Sequence, residues 1–387
     1  MKRIETIDYI RGLVMIVMAL DHTRDFLHIA SAQSPTNLAT TTPLLFLTRW
    51  ITHLCAPTFV FLSGVSVYLS LKKQNDIAES RRFLLSRGIW LIFLEFTVVN
   101  FALWWDVQFR TLIFEVIGAI GFGFIVLSFL LKIAPRSLGI VGLIIIFGHD
   151  LVPLLPLSDG SAAKLILSAL FGFSVTPLSP QTIFILAYPP IPWLGIMLFG
   201  FSAGTWFEMS AERRNSIFLK MSIAALTLFV AIRLTNFYGD PAHWSPQSTP
   251  VFTVISFFNT TKYPVSLLFT LMTLGIIFLK FAFVQVVPQA IVRVVTVFGR
   301  VPLFYFVVHL YVIHILMFVI LFLQGFQWSD FVFGSFSQGR PKAESGVSLG
   351  MVYLIWLGVV VLMYPLCRWF GAYKAAHQAK KKWLRYL

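Results

Sequence analysis

The chain has 387 residues, of which 58% are hydrophobic and 12% are charged, and its mean hydropathy is +0.82. This composition excludes an ordinary soluble protein and indicates an integral membrane protein. The net charge of +14 does not indicate nucleic-acid binding, because the basic residues lie in short loops between apolar segments and form no recognition motif.

Apolar segments of roughly 20 residues, long enough to cross a bilayer, follow one another without a long polar linker. We therefore expect one all-α helix bundle, with residues 1–387 as a single integral-membrane domain. The ten predicted spans are 10–29, 44–71, 87–105, 110–131, 137–156, 183–207, 216–236, 263–283, 300–323 and 347–370. Two further apolar stretches, 163–175 and 288–298, are expected to be interfacial or re-entrant, since either one alone as a full span would break the charge alternation.

The distribution of Lys and Arg predicts the orientation of the bundle. Alternate loops are basic, whereas the loop over residues 30–43 contains neither residue type. Because basic loops stay on the cytoplasmic side, we expect both termini in the cytoplasm and an even number of spans. The basic residues are Lys72, Lys73, Arg81, Arg82 and Arg87 in one loop, Lys132 and Arg136 in another, Arg213, Arg214 and Lys220 in a third, and Lys374, Lys380, Lys381, Lys382 and Arg385 in the tail.

The first predicted span carries ionisable residues that a lipid-facing helix does not hold. Such groups at membrane depth are costly, and they usually face a protein interior or a wet cavity. Arg11 and His22 are eleven residues apart, so on a helix they lie within roughly 20° of each other and about 16 Å apart along the axis. The charges also interrupt what would be the apolar core of a signal peptide, so the span is expected to be uncleaved.

The end of this span contains a dense ionisable cluster. Asp21, Asp25 and His28 share one helix face, and His22 with Asp25 or Arg24 with His28 could pair. A carboxylate beside an imidazole orients the ring and stabilises its protonated form, which is the arrangement needed for acid–base catalysis. The alternative is an ion-pair network that only fixes helix packing.

The second and ninth spans add further ionisable residues. Arg49 and His53 lie four residues apart on one face, so the first two spans are expected to face each other, although His53 could equally be a structural histidine. In the ninth span Arg300 lies near the predicted cytoplasmic end and His309 lies deeper. Arg300 and the preceding Arg293 could meet the phosphates of a ligand or of the lipid.

The two cysteines, Cys55 and Cys367, both lie within predicted spans. In that setting they behave as small hydrophobic residues and indicate neither a disulfide nor a cysteine-based metal site. We predict no bound metal.

Four motifs together resemble the bacterial branch of the heparan-alpha-glucosaminide N-acetyltransferase-like family. They are IDYIRGL from Ile7, MALDHTRDFLH from Met18, RWITHLCAPTFVFLSG from Arg49 and GRVPLFYFVVH from Gly299. The resemblance covers the whole chain in order and spacing. The spacing of Arg11 and His22 also resembles the signature of acyltransferase-3 proteins, which belong to the same transmembrane acyltransferase group.

The resemblance implies a multi-pass protein of the bacterial cytoplasmic membrane that takes an acetyl group from cytoplasmic acetyl-CoA. The implied acceptor is a sugar amine or hydroxyl, or another small molecule, on the far side; no nucleic-acid partner is implied, and a homodimer is left open. The catalytic residues would be His22 or His28, with Asp21 or Asp25 holding the ring. The donor would be met by Arg11, Arg293 and Arg300, and the substrate cavity by Arg24, Arg49, His53 and His309.

One departure from the family bears on these roles. The lysosomal branch has its catalytic histidine in a loop containing Trp-Asn-Gly, and this chain has Gln-Ser-Pro-Thr-Asn at residues 33–37 instead. The choice between His22 and His28 therefore stays open, and heparan itself is not implied. A competing function is a secondary transporter or channel that uses the same cluster as a proton relay or substrate site. A non-catalytic scaffold would give no reason for so many buried ionisable groups.

Overall fold

The computed structural model describes residues 4–31, 33–74, 76–334 and 336–386, and about 70% of the chain is helical. The α-helices are α1 (Glu5–Leu27), α2 (Pro43–Thr52), α3 (Cys55–Gln74), α4 (Ile77–Leu94), α5 (Asn100–Trp104), α6 (Val116–Leu130), α7 (Pro135–Gly148), α8 (Ala162–Phe171), α9 (Pro190–Ala203), α10 (Ala211–Thr235), α11 (Pro250–Phe258), α12 (Leu267–Ala282), α13 (Gln289–Gly299), α14 (Pro302–Leu323) and α15 (Leu349–His377).

Helices occupy each of the ten predicted spans, and six helical segments are long and apolar enough to cross a membrane. These are Pro43–Gln74, Ile77–Trp104, Pro135–Leu154, Ala211–Thr235, Pro302–Leu323 and Leu349–His377. The protein is therefore a mostly helical membrane protein, as its composition predicts.

The second and third predicted spans differ from the observed helices. The second is two helices, because the chain turns at His53 and Leu54 between α2 and α3. The third begins ten residues earlier than predicted, at Ile77. The side chain of Asp76 accepts hydrogen bonds from two backbone N–H groups and caps α4, which is a favourable helix start. The basic residues at 81, 82 and 87 are consequently helical and not in a loop.

The expectation of an all-α fold is wrong in detail, because short strands precede two of the helices. β1 (Thr111–Phe114) pairs in parallel with β3 (Ile183–Leu186), and β2 (Ser174–Pro177) pairs antiparallel with β3. β4 (Phe331–Gly334) and β5 (Ser337–Pro341) form a hairpin. The first four residues of the predicted span at 183–207 are β3, and α9 begins only at Pro190, since proline is favoured in the first turn of a helix.

The two apolar stretches left outside the predicted spans form short helices, neither of which is long enough to cross a bilayer. α8 has 10 residues, whose side chains are exposed or half-buried. α13 has 11 residues and packs directly on α1. A side chain at Gly299 would meet the backbone of Asp8 and Gly12, so the absence of a Cβ there allows the two helices to touch.

The charged first helix lies inside the bundle. α1 contacts α2, α3, α13, α14 and α15, and both Asp21 and Arg24 are buried. The sequence predicted this arrangement from the cost of exposing such groups to lipid. The same enclosure brings the ionisable side chains of α1 against distant segments of the chain.

Candidate functional site

Two cavities lie along α1, one beside Arg11 and one beside His22. The cavity that Arg11 lines has a volume of about 940 Å³, whereas the cavity that His22 lines has a volume of about 150 Å³. Pockets for drug-sized ligands usually measure about 300 to 1,000 Å³. The larger cavity, which we call the basic cavity, can therefore hold a large ligand, and the smaller one, the histidine cavity, can hold only part of one.

The basic cavity is lined by many cations. Among its described lining residues there is no Asp or Glu, and hydroxyls of α3 and α4, such as Ser66 and Ser80, contribute polar groups. Arginine and lysine in such numbers favour a ligand with several negative charges, above all phosphates. The basic residues are Arg11, Arg87, Arg300, Arg368, Lys374 and Arg385.

Arg11 is held in place by α3 and by the last residue of α13. Its guanidinium donates to Ser66 Oγ at 3.0 Å and to the Gly299 carbonyl at 3.4 Å, and it lies 3.6 Å from the Asp8 carboxylate. Arg300, which follows Gly299 in the chain, lines the same cavity, but Arg293 is exposed and lies outside it. Of the three arginines expected at the donor, the structure brings two together.

The C-terminal segment returns to the basic cavity. Arg87 Nη1 donates to the Arg385 carbonyl at 3.0 Å, and the Tyr386 ring lies 5.5 Å from the Phe83 ring. Leu384 is buried. No sequence pattern placed Arg87 or Arg385 in a site, because the positive-inside rule already accounted for their charges.

The histidine cavity collects polar groups from seven segments of the chain. The sequence singled out the ionisable residues of α1 and α2, but not those that precede α6, α9 or α12 or lie in β5. Only the fold brings the latter group to α1, so no local pattern could have found them. The ionisable and polar lining residues are Asp21, His22, Asp25, Arg49, Thr52, Cys55, Glu115, Tyr188, Lys262, Tyr263 and Gln338.

His22 is paired with His309 of α14. His22 Nδ1 lies 2.7 Å from His309 Nε2, and His309 Nδ1 lies 2.8 Å from the Tyr305 carbonyl oxygen. Because a carbonyl only accepts, His309 Nδ1 carries the proton and His309 Nε2 accepts from His22 Nδ1. The network therefore leaves His22 Nε2 as an unprotonated nitrogen with a lone pair. The ring of His22 is therefore held by a histidine. The sequence had suggested Asp21 or Asp25 in this role.

The aspartates are instead paired with arginines. Asp21 accepts from Arg24 at 2.9 Å and, through its other oxygen, from Arg49 of α2, and Asp25 lies 2.6 Å from the same Arg24. The first two spans thus face each other through this network, as expected. The predicted pairs of His22 with Asp25 and of Arg24 with His28 are not formed, since each aspartate already has a guanidinium, a stronger partner than an imidazole.

His28 and His53 lie outside the histidine cavity. His28 ends α1, and its Nδ1 accepts the backbone N–H of Ala30 at 3.2 Å. His53 is buried, with its ring 5.2 Å from the Phe269 ring. The structure therefore brings His22, and not His28, to the cavity.

No cluster of three or more His, Cys, Asp or Glu side chains suited to a metal ion occurs in the described part of the chain. Both cysteines are buried free thiols, and Cys55 donates to the Val14 carbonyl at 3.3 Å. Nothing in this donor set favours a metal centre.

Comparison with known families identifies a family to which most of the chain is similar. The family model described as heparan-alpha-glucosaminide N-acetyltransferase, catalytic, matches residues 3–242, which is more than half of the chain. The matched region contains Arg11, His22 and Arg49, whereas His309 and Arg300 follow it. A comparison with individual curated proteins gave no match.

Proposed function

The chain belongs to the heparan-alpha-glucosaminide N-acetyltransferase catalytic family, and from this membership we propose that it transfers an acetyl group from acetyl-CoA, through the bundle, to a small acceptor at His22. Family membership makes it a membrane acetyltransferase. The observation that carries the rest of the proposal is that the basic cavity and the histidine cavity adjoin, sharing the lining residues Phe59, Val116 and Phe306.

The donor half of the proposal rests on charge and size. Coenzyme A carries several phosphate charges, and the basic cavity offers six cationic side chains within about 940 Å³. Guanidinium groups form strong, bidentate hydrogen bonds to phosphate. We expect Arg11 and Arg300 to be among the groups that hold these phosphates, with the thioester arm directed toward the histidine cavity.

The chemical half rests on the tautomer of His22. His22 Nε2 accepts the proton of an acceptor amine or hydroxyl, whose nitrogen or oxygen attacks the carbonyl carbon of the thioester. The new C–N or C–O bond forms, the C–S bond breaks, and the sulfur leaves as a thiol with the proton that His22 returns. Should His22 Nε2 carry the acetyl group itself for one step, the same nitrogen is used. His309 fixes the ring in both cases.

The acceptor half rests on the lining of the histidine cavity. Tyr188, Tyr263 and Trp104 supply aromatic surface, and Glu115 and Lys262 supply hydrogen-bonding groups of both charges. Aromatic faces beside polar groups suit a carbohydrate, which has apolar faces and a ring of hydroxyls. We accordingly propose a sugar amine or hydroxyl as the acceptor class.

The proposed topology has ten crossings, both termini in the cytoplasm and the protein in a bacterial cytoplasmic membrane. It is supported by a helix in each predicted span and by the alternation of basic loops. In this orientation the basic cavity opens to the cytoplasm, where acetyl-CoA is made. The histidine cavity then faces the opposite side.

Turnover in nanodiscs tests the proposal. We would measure acetyl transfer from radiolabelled acetyl-CoA to glucosamine as a probe, release of free CoA thiol, and CoA binding by calorimetry. The wild-type protein is expected to bind and consume acetyl-CoA, and His22→Ala to lose about 10³-fold in turnover while binding CoA normally.

The matched control is His28→Ala, which lies directly after the same helix but outside the cavity and should retain turnover. Wild-type turnover in a folded His22→Ala protein would overturn the assignment of the base. Absence of CoA binding by the folded wild-type protein would overturn the proposed function.

A further inference from the structure

We infer that Phe59, Val116 and Phe306 form the passage through which the acyl group reaches His22, and that this passage selects short acyl chains; the inference rests on the proposed function. These three residues line both cavities. They come from α3, from the first residue of α6 and from α14, and are 9%, 8% and 6% exposed. Three apolar side chains from separate helices thus surround the junction.

The passage ends beside the hydrogen-bonded rings of His22 and His309. The Phe306 ring lies 6.3 Å from the His22 ring in an edge-to-face arrangement, and 5.9 Å from the His309 ring. An acyl group that reaches His22 from the basic cavity must therefore pass the Phe306 side chain. Phe306 is a residue that determines access and makes no polar contact with the reacting atoms.

The volumes limit what can pass. The histidine cavity measures about 150 Å³, compared with about 940 Å³ for the basic cavity, and it must also admit the reacting part of the acceptor. The nucleotide part of the donor has to stay in the basic cavity. Each methylene added to an acetyl group would need space that packed aromatic and valine side chains already fill.

The α6 side of the passage is held by buried hydrogen bonds to the backbone at the start of that helix. Glu95 is fully buried, and its carboxylate accepts the backbone N–H of Glu115 at 2.8 Å and of Gly118 at 3.2 Å. Glu95 starts a π-helical turn, Glu95–Val99, a feature that is frequent at functional sites. These bonds hold Val116 in position, so a longer chain cannot push it aside without breaking buried hydrogen bonds.

Substitutions that widen the passage test this inference. With acetyl-, propionyl-, butyryl- and hexanoyl-CoA as donors and glucosamine as the probe acceptor, the wild-type protein should prefer acetyl-CoA. Val116→Ala and Phe59→Leu should each raise the ratio of kcat/KM for butyryl-CoA to that for acetyl-CoA by about tenfold or more, the usual scale for one methylene in an apolar pocket. Phe229→Leu replaces a buried Phe outside both cavities and should leave the ratio unchanged.

A narrowing variant gives an independent measurement. Val116→Phe should lower kcat for acetyl-CoA while leaving the Kd of CoA unchanged, because the nucleotide is bound elsewhere. An unchanged butyryl-to-acetyl ratio in folded Val116→Ala and Phe59→Leu, or equal use of all four donors by the wild-type protein, would overturn the inference. Absence of any acetyl transfer by the wild-type protein would instead overturn the proposed function.

Discussion

Replacing His309 with alanine tests whether the histidine pair is catalytic or only packed together. In the wild-type protein His22 Nδ1 donates to His309 Nε2 at 2.7 Å, and this bond fixes both the tautomer and the orientation of the His22 ring. A general base contributes about 10²- to 10⁴-fold to a rate. A base that is present but no longer oriented should lose much of that, so we expect kcat to fall about 10²- to 10³-fold. At 1.36 kcal/mol per tenfold change, this corresponds to about 2.7 to 4.1 kcal/mol of transition-state stabilisation.

The assay is steady-state release of CoA thiol from acetyl-CoA, combined with calorimetric measurement of the Kd of CoA. The Kd should not change, because His309 does not line the basic cavity. His309→Gln should recover part of kcat, since its amide oxygen can accept from His22 Nδ1. The matched control is His53→Ala, another buried histidine, which should keep wild-type kcat. Wild-type kcat in His309→Ala, or equal losses in His309→Ala and His309→Gln, would refute the orienting role.

Three further changes give predictions for donor binding, helix packing and acid stability. Arg300→Gln should raise the Kd of CoA by about tenfold, because a charge-assisted hydrogen bond is lost, whereas calorimetry on Arg293→Gln should show no change; equal effects would contradict the assignment. Gly299→Ala should destabilise the protein by about 1 to 3 kcal/mol through overpacking, seen as a lower thermal midpoint in detergent, while Gly358→Ala, which faces open space, should not. Burial alone would raise the pKa of the Asp106 carboxyl. Hydrogen bonds from Arg110 outweigh this effect and hold the pKa below its ordinary value. Its stabilisation is therefore present above about pH 4 and lost as the pH falls through the folded-state pKa. Thermal melts of Asp106→Asn should therefore lie below wild type at pH 7 and converge with it as the pH falls below that pKa.

The placement of the first helix could be predicted from the sequence because both of its signals are local. Arg11 and His22 belong to one helix, so their spacing alone places them on one face. The cost of exposing them to lipid then places that face in the interior. The structure agrees, with Arg11 in one cavity and His22 in the adjoining one.

The strands and the rest of the cavity lining depend on contacts that no local pattern records. Residues 183–186 are apolar, and a short apolar run reads equally well as the start of a helix. They form a strand because β1, about 70 residues earlier in the chain, pairs with them. Lys262 and Gln338 reach the histidine cavity in the same way, through segments far from α1 in sequence.

The cations of the basic cavity could not be recognised as a group from the sequence for a different reason. The charge of one basic residue can set membrane orientation and also bind a ligand. Arg87, Lys374 and Arg385 satisfy the positive-inside rule, so their charges needed no further explanation. The fold nevertheless gathers them around a single cavity. Charge counting predicts the side of the membrane on which cations lie, but not whether they converge, because convergence depends on how the helices pack.

The proposal that His22 rather than His309 is the base rests on helix geometry, once the two histidines are known to touch. His309 is four residues after Tyr305 on α14, and this spacing places its Nδ1 against the Tyr305 carbonyl at 2.8 Å. That contact commits the Nδ1 proton of His309 and makes its Nε2 an acceptor. His309 therefore has no free nitrogen for a substrate, and His22 is left with one. The Tyr305 carbonyl thus makes the two imidazoles different. The imidazole with the available nitrogen is His22, which is also the one that lines the histidine cavity.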